Sequence, residues 1–104
     1  QSLQLPLPIP LDKIAEFCER WQITELALFG SILRDDFHAE SDVDVLITLA
    51  PGVRYGFAFV QVRDELQDII GRPVDLVTRR QMEEGVPTGR SREILSTARV
   101  LYRA

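Results

Sequence analysis

Thr24-Glu25-Leu26-Ala27-Leu28-Phe29-Gly30-Ser31 and, after a gap of ten residues, Asp42-Val43-Asp44-Val45-Leu46-Ile47-Thr48-Leu49 decide the reading of this 104-residue chain. The first stretch is an apolar run ending at a glycine, the pattern of a buried strand that stops where the backbone must approach something closely. The second is rich in β-branched residues and reads as another strand. Side chains in a strand alternate between faces, so Asp42 and Asp44 point one way while Val43 and Val45 point into the other layer. Two carboxylates that close repel unless a cation sits between them. Hard oxygen ligands with no nearby His or Cys favour Mg²⁺ or Mn²⁺ over zinc.

Between the strands, Gly30 opens a tight turn and Ser31-Ile32-Leu33-Arg34-Asp35-Asp36-Phe37 reads as a short helix or helical turn. A helix start offers unsatisfied N–H donors and a positive dipole end, so Gly30 and Ser31 could hold a triphosphate without a lysine. Their plainer roles, a strand-ending turn and a helix cap, fit the same picture, because the amides that need capping are the phosphate donors. Arg34 either pairs with Asp35, Asp36 or Asp75, a surface interaction worth little, or organises the phosphates. His38 reads as a solvated side chain in a polar turn.

Working outward, Leu11, Ile14, Phe17, Cys18 and Trp21 recur at helical spacing and predict an amphipathic first helix, with Cys18 in its core stripe. Pro51 to Gly56 is a turn-rich loop. Phe59, Val62, Leu66, Ile69 and Ile70 mark a second helix that ends at Gly71 and delivers a third strand, Pro73 to Thr78. That strand carries Asp75, which is either a surface residue or a third carboxylate for the pair. A further helix is predicted over Ser91–Ala98, followed by a short ending at Val100-Leu101-Tyr102. The order predicts an α/β (α+β) layer structure: a small mixed sheet with helices packed on one face and the carboxylates on the other. Tyr55, Phe57 and Phe59 either border a base by stacking or pack and meet a partner.

Composition narrows the function. Sixteen Asp and Glu against twelve Lys and Arg give a net charge of −4, which argues against a domain that grips nucleic acid by itself and against a template-directed polymerase. Basic residues gather late, at Arg79, Arg80, Arg90, Arg92, Arg99 and Arg103, opposite an acidic stretch from Asp35 to Asp44. Cys18 is the single cysteine, so an internal disulfide is impossible and a reducing cytoplasm is the simplest setting. No apolar run reaches membrane-spanning length. Gln1 to Pro10 lacks the basic start and apolar centre of a signal peptide; residues 1–9 are expected to form a flexible, trimmed extension. One domain over residues 1–104 is expected, with a modest core that a homo- or hetero-oligomeric partner would help to cover.

Gly30-Ser31, the spacer, Asp42-x-Asp44 and the later Asp75 resemble the signature of the DNA polymerase β-like nucleotidyltransferases. More narrowly, Leu28 to Phe37 with Ser41 to Leu46, and the tail Arg92-Glu93-Ile94-Leu95 leading to Val100-Leu101-Tyr102, resemble the minimal nucleotidyltransferases, or MNT proteins. One departure is Leu33-Arg34-Asp35, where many members of the wider superfamily have a small residue and then Arg-Gly. The resemblance implies a palm-like fold, Asp42, Asp44 and Asp75 as catalytic ligands of two Mg²⁺ ions, and Gly30, Ser31 and Arg34 as the nucleotide-binding residues. It also implies an antitoxin that transfers AMP from ATP to a tyrosine of a HEPN-domain ribonuclease toxin and releases pyrophosphate. Two metals held by three carboxylates can activate an attacking hydroxyl and neutralise the leaving pyrophosphate. The alternatives are an antitoxin that occludes its toxin without a covalent mark, and transfer to a small molecule such as an aminoglycoside. The short chain has no room for a separate acceptor-holding domain, which weakens the last.

Overall fold

The computed structural model describes residues 9–33, 42–84 and 96–104, with Ser31 described in its backbone alone. Helix α1 (Leu11–Arg20) leads into strand β1 (Ile23–Phe29), a 3-10 turn (Gly30–Leu33) and β2 (Val43–Leu49). Then follow α2 (Ala58–Ile70), β3 (Val74–Thr78), α3 (Arg79–Glu84) and β4 (Arg99–Arg103). The four strands form one sheet in the order β3-β2-β1-β4, in which β2 and β3 are parallel and the other pairs antiparallel. The mixed sheet and its helices match the architecture read from the sequence, and α1, β1, β2, α2 and β3 fall within a residue of their predicted spans.

Alternation along the strands assigns the two faces. Leu26 and Leu28 of β1, Val43, Val45 and Ile47 of β2, and Val74 and Leu76 of β3 join one core cluster with Ile14, Phe17 and Cys18 of α1 and Val62, Leu66 and Ile70 of α2. The helical residues recur at intervals of three and four, which gathers them on one stripe of each helix. On the opposite face Asp44, Thr48 and Asp75 alternate with this set, as expected. That face is not bare, however: Ala27, Phe29 and Leu46 on it are 1%, 5% and 2% exposed.

Two further readings fall partly outside the described residues, and the chain ending differs from its reading. The helical reading of Ser31–Phe37 is a 3-10 turn over Gly30–Leu33; the remainder of that segment, with Arg34 and His38, lies outside the described residues. The predicted helix at Ser91–Ala98 lies largely outside them as well, with Ser96 and Thr97 helical. The chain ending is a true strand, β4, which pairs with β1 through Glu25↔Arg103, Leu26↔Tyr102, Ala27↔Val100 and Leu28↔Arg99. A register irregularity between Leu26 and Ala27 breaks its alternation, so five residues flanked by arginines gave a weak strand signal.

Polar contacts fix the ends of the elements. Thr78 and Gln81 form a capping box at the start of α3: Gln81 N–H donates to Thr78 Oγ1 at 3.0 Å, and Thr78 N–H donates to Gln81 Oε1 at 3.1 Å. Arg79 Nε donates to Thr48 Oγ1 at 3.2 Å, and Glu25 receives both Arg79 Nη2 at 3.3 Å and Arg103 Nε at 3.0 Å. These bonds tie β1, β2, β4 and α3 together. At the other end of α1, the Trp21 and Tyr55 rings meet edge to face at 5.6 Å, and the Tyr55 hydroxyl donates to the Trp21 carbonyl. Trp21 Nε1 donates to Glu65 at 3.2 Å, and Glu65 also takes the Arg20 guanidinium, which holds its carboxyl below the usual range.

Burial pushes the Cys18 thiol and the Tyr55 phenol each up to about 12. Both groups are neutral when protonated, so the folded state resists their ionisation while the unfolded chain does not. Their contribution is fully present below the ordinary values of 9.0 and 10.0 and is lost as pH rises toward about 12. The melting temperature is therefore expected to fall steadily from about pH 9 upward. Cys18→Ala and Tyr55→Phe should each flatten that alkaline limb in calorimetric scans; an unchanged limb in both variants would refute the assignment.

Candidate active site

One cross-strand row brings two of the predicted carboxylates together. The register pairs Phe29 of β1 with Asp44 of β2, and Asp44 with Asp75 of β3. Neighbouring strands lie about 4.8 Å apart, so the two carboxylates stand side by side on one face, next to the end of β1. Asp44 is half-buried at the centre of the sheet, whereas Asp75 is exposed on an outer strand. Asp42 precedes β2 and is exposed. Among the described residues no group of three or more His, Cys, Asp or Glu is gathered closely enough to hold a metal ion alone. Asp44 and Asp75 are thus paired across neighbouring strands, and Asp42 stands at the entrance to β2.

Gly30 follows Phe29 and begins the 3-10 turn at φ +77°. A Cβ placed on it would overlap Asp44 Oδ2 and lie 3.0 Å from the carboxyl carbon. The glycine is required twice over, by its left-handed backbone and by the carboxylate that occupies the space of its side chain. Ser31 is the second residue of the turn, and Arg34 lies outside the described residues. The donor set at this end of the sheet is carboxylate oxygen, which suits a hard divalent cation such as Mg²⁺, and the missing Gly30 side chain leaves the Asp44 carboxylate accommodated against the turn.

Other candidates fall elsewhere. Tyr55 and Phe59 pack against the core, and Phe57 is fully exposed. Their loop adjoins the far end of β2, five strand residues or about 17 Å from Asp44, so base stacking beside the carboxylates is not their role. Arg79 is engaged by Glu25, Glu83 and Thr48 and ties elements together rather than waiting for phosphate. An open depression of about 230 Å³, lined in part by Thr48, Val53, Thr78, Arg79 and Glu83, also sits at that far end.

A strand, a glycine turn and a second strand whose carboxylate stands beside that of a third strand, on the face away from the helices, have the layout of a nucleotidyl-transfer palm. The chain belongs to the nucleotidyltransferase domain family, which matches residues 11–101. The protein adenylyltransferase MntA of Thermococcus cleftensis is 29% identical over 80 residues, covering 77% of this chain and 80% of that protein. Among solved structures, a toxin–antitoxin complex with AMP-PNP superposes with a TM-score of 0.69 at 20% identity, over 92% of this chain and 75% of that one. A complex of tri-AMPylated Shewanella oneidensis HEPN toxin with MNT antitoxin gives a TM-score of 0.61 at 20% identity, over 90% and 70%. Among the described residues no helix is long and apolar enough to cross a membrane.

Proposed function

We propose that this chain is a protein adenylyltransferase that transfers AMP from ATP to a tyrosine hydroxyl of a HEPN-domain toxin, releases pyrophosphate and so acts as the antitoxin. The observation that carries the reading is the Phe29–Asp44–Asp75 row, in which Asp44 lies against the glycine turn at Gly30 and beside Asp75 of the neighbouring strand. Support comes from the adenylyltransferase relative and from the AMPylated toxin in the S. oneidensis complex. ATP as the co-substrate rests on the AMP-PNP complex of the structural neighbour.

In this proposal Asp42, Asp44 and Asp75 would hold Mg²⁺, and Gly30, Ser31 and Arg34 would bind the triphosphate. The ion, when bound, neutralises phosphate charge and favours the ionised acceptor hydroxyl. Asp44, central and half-buried, orients the α-phosphate end of the site. Asp75, exposed on the outer strand, faces the approaching acceptor and is placed to take its proton. This domain would hold the nucleotide, and the partner would bring the acceptor on its own surface. The setting proposed is the cytoplasm.

The test is intact-protein mass spectrometry of a HEPN-domain toxin, taken from the neighbouring gene if one encodes it, after incubation with the protein, ATP and Mg²⁺. Additions of AMP-sized mass, absent with Asp42→Asn/Asp44→Asn, are expected. An unmodified toxin in a stable complex would instead establish inhibition by occlusion.

A further inference from the structure

Val74 opens β3, and its N–H donates to Gln67 Oε1 at 3.0 Å. Gln67 lies near the end of α2, where its own carbonyl accepts the Gly71 N–H at 2.7 Å as the chain turns through a left-handed glycine. One residue therefore holds the α2–β3 connection at both ends, through its main chain at the helix and its side chain at the strand. On the opposite flank the Pro73 carbonyl accepts the Val43 N–H at 2.9 Å. The carbonyl and N–H of a trans peptide point opposite ways, so the Val74 N–H is directed away from β2. It faces the outer side of the sheet, where among the described residues β3 is an edge strand with no ladder partner.

The next pair along this register is Asp44↔Asp75. Like charges directly opposite each other destabilise a strand pair, and here one member sits on an outer strand held by a ladder on one flank only. A bond from the outer flank, anchored on a helix packed in the core through Leu66 and Ile70, fixes Val74 along the strand and opposes a slide of β3 that would take Asp75 out of register with Asp44. We propose that Gln67 is a positioning residue for the carboxylate pair, keeping Asp75 in register with Asp44 before a cation arrives. The inference rests on the reading above that this pair receives the divalent ion.

Gln67→Met keeps the shape of the side chain and removes the acceptor; Gln67→Glu keeps an acceptor oxygen. Two quantities would be followed in the protein alone: amide hydrogen exchange at Val74 without metal, and Mn²⁺ binding by electron paramagnetic resonance in the presence of AMP-PNP. Gln67→Met should speed Val74 exchange and weaken Mn²⁺ binding roughly tenfold, the scale of losing a group that orients a ligand, while Gln67→Glu restores most of both. Unchanged Mn²⁺ affinity in Gln67→Met, even with a lowered melting temperature, would overturn the proposal by reducing Gln67 to a structural tie. Failure of the wild-type protein to bind Mn²⁺ would overturn the catalytic reading itself, an outcome distinct from a failure confined to the variants.

Discussion

Asp44→Asn is expected to slow AMP transfer by about a thousandfold or more, with the melting temperature unchanged or slightly raised. Asp44 lies on a central strand, between Phe29 on one side and Asp75 on the other, and is half-buried there. An amide in its place keeps the shape and removes the charge, so on the function proposed above a phosphate-neutralising ion would lose its best-anchored ligand. Metal-assisted charge stabilisation is worth several kcal/mol, and about 4 kcal/mol corresponds to a factor of a thousand. Stability moves the other way, because one of two facing like charges has gone. Single-turnover transfer followed by mass spectrometry, together with a thermal melt, checks both halves. A rate within tenfold of wild type would remove Asp44 from the chemistry; a large drop in melting temperature would make its role structural.

The contrast between Asp44 and Asp75 also shows what a sequence can and cannot disclose. Period-two alternation was enough to put Asp44 on the face opposite Val43 and Val45, because that rule is local. It could not say that Asp75 is registered directly against Asp44, since strand order and register depend on how α2 carries the chain back to the sheet. Helices α1 and α2 were legible because their apolar residues repeat at helical spacing. Strand β4 was not, since arginines occupy both ends and the pairing with β1 is irregular. The hold of Gln67 on Val74 spans seven residues between a helix and a strand, and no periodicity announces it.

Gly30→Ala is the second change expected to have a large effect, and it joins backbone strain to catalysis. At φ +77° an alanine pays about 1–2 kcal/mol for the left-handed conformation alone. Its methyl group would also occupy the position of Asp44 Oδ2, with the carboxyl carbon 3.0 Å and the Cβ 3.3 Å away. Asp44 has little room to retreat, since Phe29 lies across from it and Asp75 beside it. Overpacking of this kind costs roughly another 1–3 kcal/mol. The melting temperature should fall by on the order of 10–20 °C, and a carboxylate displaced by about an ångström should slow transfer about a hundredfold. A double-mutant cycle separates the two causes. In an Asp44→Ala background the carboxylate is gone, so Gly30→Ala should cost only its backbone strain, and the difference between backgrounds measures the steric conflict. Equal costs in both backgrounds would show that the left-handed turn alone demands glycine; a smaller cost beside Asp44→Ala ties Gly30 directly to the catalytic carboxylate.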